Sequence, residues 1–262
     1  MNAGNSYLEK CGGLLASVKA QAAAIDASAD LFAQTILAGQ MVHVFGSGHS
    51  RILVEEMWPR YGSFPGFNPI VELSLTFHNL VVGANGQRQA MFLENVSGLA
   101  TRILRTFDLK PGDSALVVSS SGCNVVPVEM AEEFQRRDVK VVALVSKAHA
   151  ELSSSRHHAG KKLMDYADIT LDTGAPLGDA MIHIEGLNTP VAPGSTVGGC
   201  LVVNAIKAEV AERLVRAGQP PKVLTAAAVV GAEYATELFE AAYDEHARRL
   251  APYYANLGKP TI

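Results

Sequence analysis

The hydrophobic pattern along this chain changes period several times, and each change marks an element. Across residues 1–39 apolar positions recur at helical spacing, through Leu14, Leu15, Val18, Ile25, Leu31, Phe32 and Ile36. They predict one N-terminal helix, weakened at Gly12-Gly13 and stopped at Gly39. Residues 41–45 are a continuous apolar run and give a first strand. The turn Gly46-Ser47-Gly48-His49-Ser50 follows, then a helix from about Ser50 to Trp58 that ends before Pro59. Residues 60–69 are punctuated by Gly and Pro and read as loop; a second strand is expected at 69–73. The pattern assigns nothing to 77–86. A helix is expected over 91–107, a turn at 111–113, a third strand at 115–118, a helix at 126–137 and a fourth strand at 140–145. Residues 169–171 make a fifth strand, 174–194 are loop-rich, and helices follow at 197–217 and about 232–250.

Strands alternating with helices predict an α/β fold, a doubly wound five-stranded parallel sheet covered on both faces. One domain is expected over residues 1–262, with its core at about 38–215. The helix at 1–37 and a helical extension at 220–262 flank that core. In such sheets ligands bind at the C-terminal ends of the strands, and both Gly/Ser turns fall there.

Composition narrows the partners. Hydrophobic residues make up 48% of 262 residues, enough for a full core, and with aromatics at 6% it must be filled by Ala, Val and Leu. A formal charge of −4 argues against a nucleic-acid surface, which calls for a basic domain. Cys11, Cys123 and Cys200 are too few and scattered for a disulfide framework or a cysteine zinc site. With no signal peptide, they point to a reducing cytoplasm. No apolar run approaches the roughly 18 residues of a membrane span.

The densest candidate chemistry is Ser119-Ser120-Ser121-Gly122-Cys123-Asn124, between the third strand and its helix. Hydroxyls and backbone N–H groups gathered at the positive end of a helix dipole make an anion site, most naturally for phosphate. The other turn opens like a dinucleotide fingerprint, but Arg51 stands where its third glycine belongs, and Glu72 alone is a weak ribose-binding acid. His157 and His158 lack the spacing of a helical metal pair, so no metal is expected; no organic cofactor is expected either.

The 119–124 loop resembles the Ser-x-Ser-Gly-x-Thr/Asn loop of the sugar isomerase (SIS) domain family. Gly46–Ser50 is similar to that family's first Gly-x-Gly-x-Ser turn, and Ala192-Pro-Gly-Ser195-Thr196 to its third element. The likeness covers about residues 38–215, in the family's order, and the whole chain resembles a bacterial branch of it. The resemblance implies a flavodoxin-like SIS sheet and a phosphorylated sugar as ligand. It places Ser50, Ser119, Ser121 and Asn124 on the phosphate, and Gly48, Ser195 and Thr196 on the sugar, with helix capping the alternative role for the last two.

It also nominates acids and bases. Glu55-Glu56 lie on the helix after the first turn, where isomerase and etherase branches carry a catalytic Glu. Glu56 is the choice, six positions after the turn serine instead of ten. A four-residue deletion keeps its facing within about 40° and draws it about 6 Å nearer the helix start. Trp58 and Met57 would supply an apolar wall that raises its pKa. Glu185, seven residues before Ala192, matches the spacing of an acid in another isomerase branch, with His183 as its partner. Asp179 is a further acid; His49 and His78 are the candidates for ring opening or proton transfer. The implied reaction is aldose–ketose isomerisation through an enediol(ate). The alternatives are elimination at a phosphosugar, or a phosphosugar sensor without catalysis. Apolar faces on the first and last helices imply a homodimer or higher homo-oligomer with the site near its seam.

Overall fold

A computed structural model describes residues 2–76 and 86–255. The chain opens with two helices, α1 (Ala3–Ala20) and α2 (Ala22–Leu37), where periodicity predicts one. The break is at Gln21. Its amide donates to the Asp172 carbonyl (2.6 Å) and accepts from the Asp172 N–H (2.8 Å), so the side chain pairs like a strand against the sheet edge. Gly12 and Gly13 run through α1 without interrupting it.

The order continues β1 (Val42–Gly46), a 3-10 turn at Gly48–Ser50, α3 (Arg51–Met57), β2 (Phe67–Ile70), α4 (Leu73–Thr76), α5 (Gly86–Leu93) and α6 (Leu99–Leu104). Then come β3 (Ser114–Val118), α7 (Val125–Arg136), β4 (Lys140–Val145), α8 (Lys147–Leu152) and β5 (Ile169–Asp172). Five parallel strands lie in the order β2-β1-β3-β4-β5. β2 starts two residues earlier than the pattern suggests and contains Pro69, which an edge strand tolerates because its N–H side faces outward. The segment expected to be one helix at 91–107 is two, divided at 94–98. There Gly98, at φ 83°, turns the chain, and the Glu129 carboxylate accepts from the Ser97 hydroxyl (2.5 Å) and the Gly98 N–H (2.8 Å).

Loop-rich 174–194 holds a small antiparallel hairpin, β6 (Ala180–Ile182) with β7 (Val191–Pro193). The long α9 (Ser195–Arg216), the short α10 (Ala227–Val230) and α11 (Ala232–Tyr254) complete the chain. α2, α3 and α9 pack on one face of the sheet through Phe32, Ile36, Leu53, Met57, Val203 and Ile206. α6 and α7 pack on the other through Leu104, Val126, Met130 and Phe134. β1, β3 and β4 are therefore buried on both sides and read as apolar runs. α11 reaches under the sheet: the Tyr253 hydroxyl donates to Asp113 (2.5 Å), which also faces His43 on β1 at 3.2 Å.

Candidate functional site

Strand order reverses between β1 and β3, since β2 lies to one side and β4–β5 to the other. The loops leaving these two strands diverge there and open a crevice, the usual ligand position in such sheets. The cleft has a volume of about 360 Å³, within the usual range for small-molecule sites. Both predicted turns enter it: Ser47, Gly48, His49 and Ser50 from β1, and Ser119, Ser120, Ser121 and Asn124 from β3. Thr173, Asp179, Pro193, Ser195 and Thr196 close one side, His149 stands after β4, and Gln87, Met91 and Glu94 of the α5 region close the other.

Local geometry explains the turn residues. A Cβ at Gly46 would sit 2.6 Å from the Ser50 carbonyl oxygen, so only glycine lets the 3-10 turn fold back on β1. Gly122 has φ 61°, the left-handed region that lets the 119–124 loop curl into α7. The Gly122 N–H donates to the Ser119 hydroxyl (3.2 Å) and the Cys123 N–H to the Ser121 hydroxyl (3.3 Å). Both hydroxyl protons stay available to a ligand at the N-terminus of the 12-residue α7. Cys123 itself turns away; burial pushes its thiol up, beyond what the nearby Lys162 and Arg156 charges offset.

The cleft is also short of partners. Eight buried side-chain polar atoms lack a hydrogen-bond partner among the described residues, and three of them, Ser120 Oγ, Gln87 Oε1 and His149 Nδ1, belong to residues lining this cleft. Buried polar groups are nearly always paired, so three orphans around one cavity indicate a polar occupant.

The nominated acids separate in space. Glu56 does not line the cleft. Its carboxylate accepts from Arg60 and from the Asn204 amide (2.7 Å), and its carbonyl accepts from the buried Lys207 ammonium (2.7 Å). Burial pushes its pKa up, but the Asn204 and Arg60 hydrogen bonds and the Arg60 and Lys207 charges outweigh it, so the carboxyl is held below the usual range. Trp58 is buried in the core, packs against Tyr243 and His246 of α11, and does not line the cleft. The shortened helix thus places the acid at the α3–α9 contact. Glu55 is exposed and pairs with Arg51 at 3.5 Å. Glu185 and His183 are exposed at the hairpin end, outside the cleft lining. His78 lies outside the described residues.

Asp179 is in the cleft, but its lone pairs are committed. It accepts from the Gly194 N–H (3.0 Å), the Ser195 N–H (2.7 Å) and the Ser195 hydroxyl (2.7 Å), and so caps α9. Ser195 is capped more than capping. Asn124 donates through Nδ2 to Glu94 Oε2 at 2.7 Å, so its amide faces a carboxylate in the unliganded cleft. Glu94 is the acid that the sequence reading misses. It also accepts a short hydrogen bond from Ser47. Its place within a helical pattern gave no signal of a site; only the tertiary fold brings the end of α5 against the β3 loop. Among the described lining residues there is no Lys or Arg.

Comparison with known proteins agrees with this architecture. The SIS domain profile matches residues 6–146. A UPF0309 protein of Halalkalibacterium halodurans is 35% identical over 215 residues, spanning 81% of this chain and 86% of its own. A UPF0309 protein of Listeria monocytogenes serotype 4b is 32% identical over 213 residues, spanning 81% and 84%. A phosphoheptose isomerase from Francisella tularensis superposes with a TM-score of 0.50 at 16% identity, over 79% of this chain and 96% of that one, which is a likeness of fold.

Proposed function

This chain belongs to the SIS-domain family, and from that premise we propose that it binds a phosphorylated sugar in the β1–β3 cleft and isomerises it between aldose and ketose through an enediol(ate). The observation that carries the reading is the meeting of the 119–124 loop, the α7 N-terminus and three lining residues with a buried polar atom unpartnered among the described residues, at one cavity of about 360 Å³. A phosphate there takes the Ser119 and Ser121 hydroxyl protons and loop N–H groups without needing a cationic side chain. Ser50 and Gly48 face the same space from the first turn, and the sugar hydroxyls reach Gln87, Ser120 and His149. Elimination at a phosphosugar begins with the same proton abstraction and shares every binding contact. In this reading the protein works in the cytoplasm, as a homodimer or higher homo-oligomer with the cleft near its seam. Among the described residues no helix is long and apolar enough to cross a membrane.

A thermal-shift series against sugar phosphates, paired with the unphosphorylated sugars, tests this. Ligand at a hundred times Kd adds about 2.7 kcal/mol, a rise on the order of 5–10 °C for a chain of this size. Only the phosphorylated members are expected to act, and Ser121→Ala is expected to weaken them at least about tenfold, one charge-assisted hydrogen bond. Equal shifts with the free sugars, or none with any phosphate, would remove the reading.

A further inference from the structure

The geometry points to Glu94 as the group that moves the proton on the substrate carbon, with Ser47 and Asn124 as its positioning residues. This rests on the phosphosugar reading of the cleft and assigns its chemistry. Two carboxylates line the cavity among the described residues, Glu94 and Asp179. Asp179 spends three hydrogen bonds on the start of α9. Glu94 receives one donor on each oxygen, the Ser47 hydroxyl on Oε1 and the Asn124 amide on Oε2. A carboxylate has about four lone-pair sites, so each oxygen keeps capacity for a proton while two neutral donors fix its plane. Neither donor is cationic, so these two contacts orient the carboxylate without forming an ion pair.

Its support is built from both loops of the site. Ser47 belongs to the β1 turn and Asn124 is the residue preceding α7. The Glu94 backbone is tied down too: its carbonyl accepts the Val126 N–H at 2.9 Å, which joins the end of α5 to the first turn of α7. A phosphate seated on the 119–124 loop therefore holds the rest of the sugar against a carboxylate fixed to the same loop, the arrangement that turns binding into orientation.

The step balances within the cleft. Glu94 takes the C2 proton of the open-chain aldose. The C–H electron pair becomes the C1=C2 bond, and the carbonyl pair moves to O1. The O2 hydroxyl proton passes to O1 through His149, whose Nδ1 has no hydrogen-bond partner among the described residues. Glu94 then returns its proton to C1 as the O2 carbonyl forms. No oxidant or co-reactant enters.

Proton NMR in D2O separates the possibilities. The wild type is incubated with glucose 6-phosphate, fructose 6-phosphate, N-acetylglucosamine 6-phosphate, arabinose 5-phosphate and sedoheptulose 7-phosphate. C–H exchange and turnover are followed beside binding by thermal shift. Glu94→Gln is expected to bind the responding phosphosugar within about twofold of wild type and to lose exchange and turnover by about 10²–10⁴-fold. Glu56→Gln is expected to keep both. Asn124→Ala is expected to lower kcat and shift the pH–rate profile, a change a purely structural role does not produce. If Glu94→Gln loses its fold by circular dichroism, Glu94→Asp, which keeps the charge and withdraws it by one methylene, is read in its place and must lose kcat more than KM. Exchange by Glu94→Gln at the wild-type rate overturns the assignment and leaves the phosphosugar reading intact. Binding by the wild type with no exchange also overturns the assignment, removes isomerisation while keeping phosphosugar binding, and makes the protein a sensor. No binding of any phosphosugar by the wild type removes the reading itself, and the assignment with it.

Discussion

At the scale of single residues, two polar groups behave oppositely. Ser120 Oγ is buried at the cleft without a partner among the described residues, and an unpaired buried hydroxyl costs roughly 1–3 kcal/mol. Ser120→Ala is therefore expected to raise the melting temperature of the unliganded protein by a few degrees and to shrink the shift produced by a phosphosugar; both are read in one calorimetric series. Asp113 is the reverse case. It is fully buried, and burial pushes its carboxyl up, but the hydrogen bond and charge of His43, the Tyr253 hydroxyl and the Lys110 N–H together hold it below the usual carboxylate range. Burial and the Asp113 carboxylate push Tyr253 far up, so it remains the donor. A carboxyl with a depressed folded pKa contributes stability that is complete above its unfolded value near 3.9 and drains away as pH falls through the folded value. Asp113→Asn is expected to cost about 1.5–3 kcal/mol near neutrality, and the gap to wild type should narrow below about pH 4. Urea midpoints from pH 6 to pH 3 measure both; a gap that stays constant over this range would contradict the account.

At the scale of elements, the close approach of α9 to the sheet is the most sensitive contact. A Cβ at Gly198 would lie 1.9 Å from the Thr173 carbonyl oxygen, a backbone atom that cannot step aside. Overpacking a core contact costs about 1–3 kcal/mol and sometimes more, so Gly198→Ala should lower the urea midpoint by at least that amount and loosen the side of the cleft that carries Thr173 and Ser195. An unchanged midpoint would mean that α9 is free to slide. Residues 197–217 announce this helix through their apolar spacing, as the runs at 41–45, 115–118 and 140–145 announce the strands, because double burial leaves a continuous apolar signature. The boundaries that differ are set by single side chains acting at long range. Gln21 ends α1 by bonding to Asp172, and Glu129 turns the chain at Gly98. The same holds for the site. Ser119, Ser121, Ser50 and Gly48 are legible because a short motif carries them. Glu94 is not, because its role comes from packing α5 against a loop thirty residues later. Glu56 is read from a helix register, and the fold turns that acid toward Asn204 and Lys207 of α9, away from the cleft.

At the scale of the whole molecule, apolar side chains beside the cleft remain uncovered. Phe92 on α5 is 71% exposed and Met91, which lines the cavity, 52%. Leu8 on α1 is 68% exposed, next to Tyr7, whose hydroxyl donates to the carbonyl of the cleft residue Pro193 at 2.8 Å. Single exposed apolar residues need no explanation, but these lie on α1 and α5, the helices that carry Tyr7 and Met91 to the cleft. A second copy of the chain laid over both helices would bury these side chains and narrow the mouth of the cleft, excluding water from the proposed enediolate step. Sedimentation velocity at micromolar concentration is accordingly expected to give a dimer or a larger closed assembly. Phe92→Glu combined with Leu8→Glu, which places like charges in the apolar contact without touching a residue that lines the cavity, should shift the protein to monomer and weaken the phosphosugar thermal shift. A wild-type protein that sediments only as monomer would contradict the assembly. A dimer unmoved by the double substitution would put the seam on another face, away from the cleft.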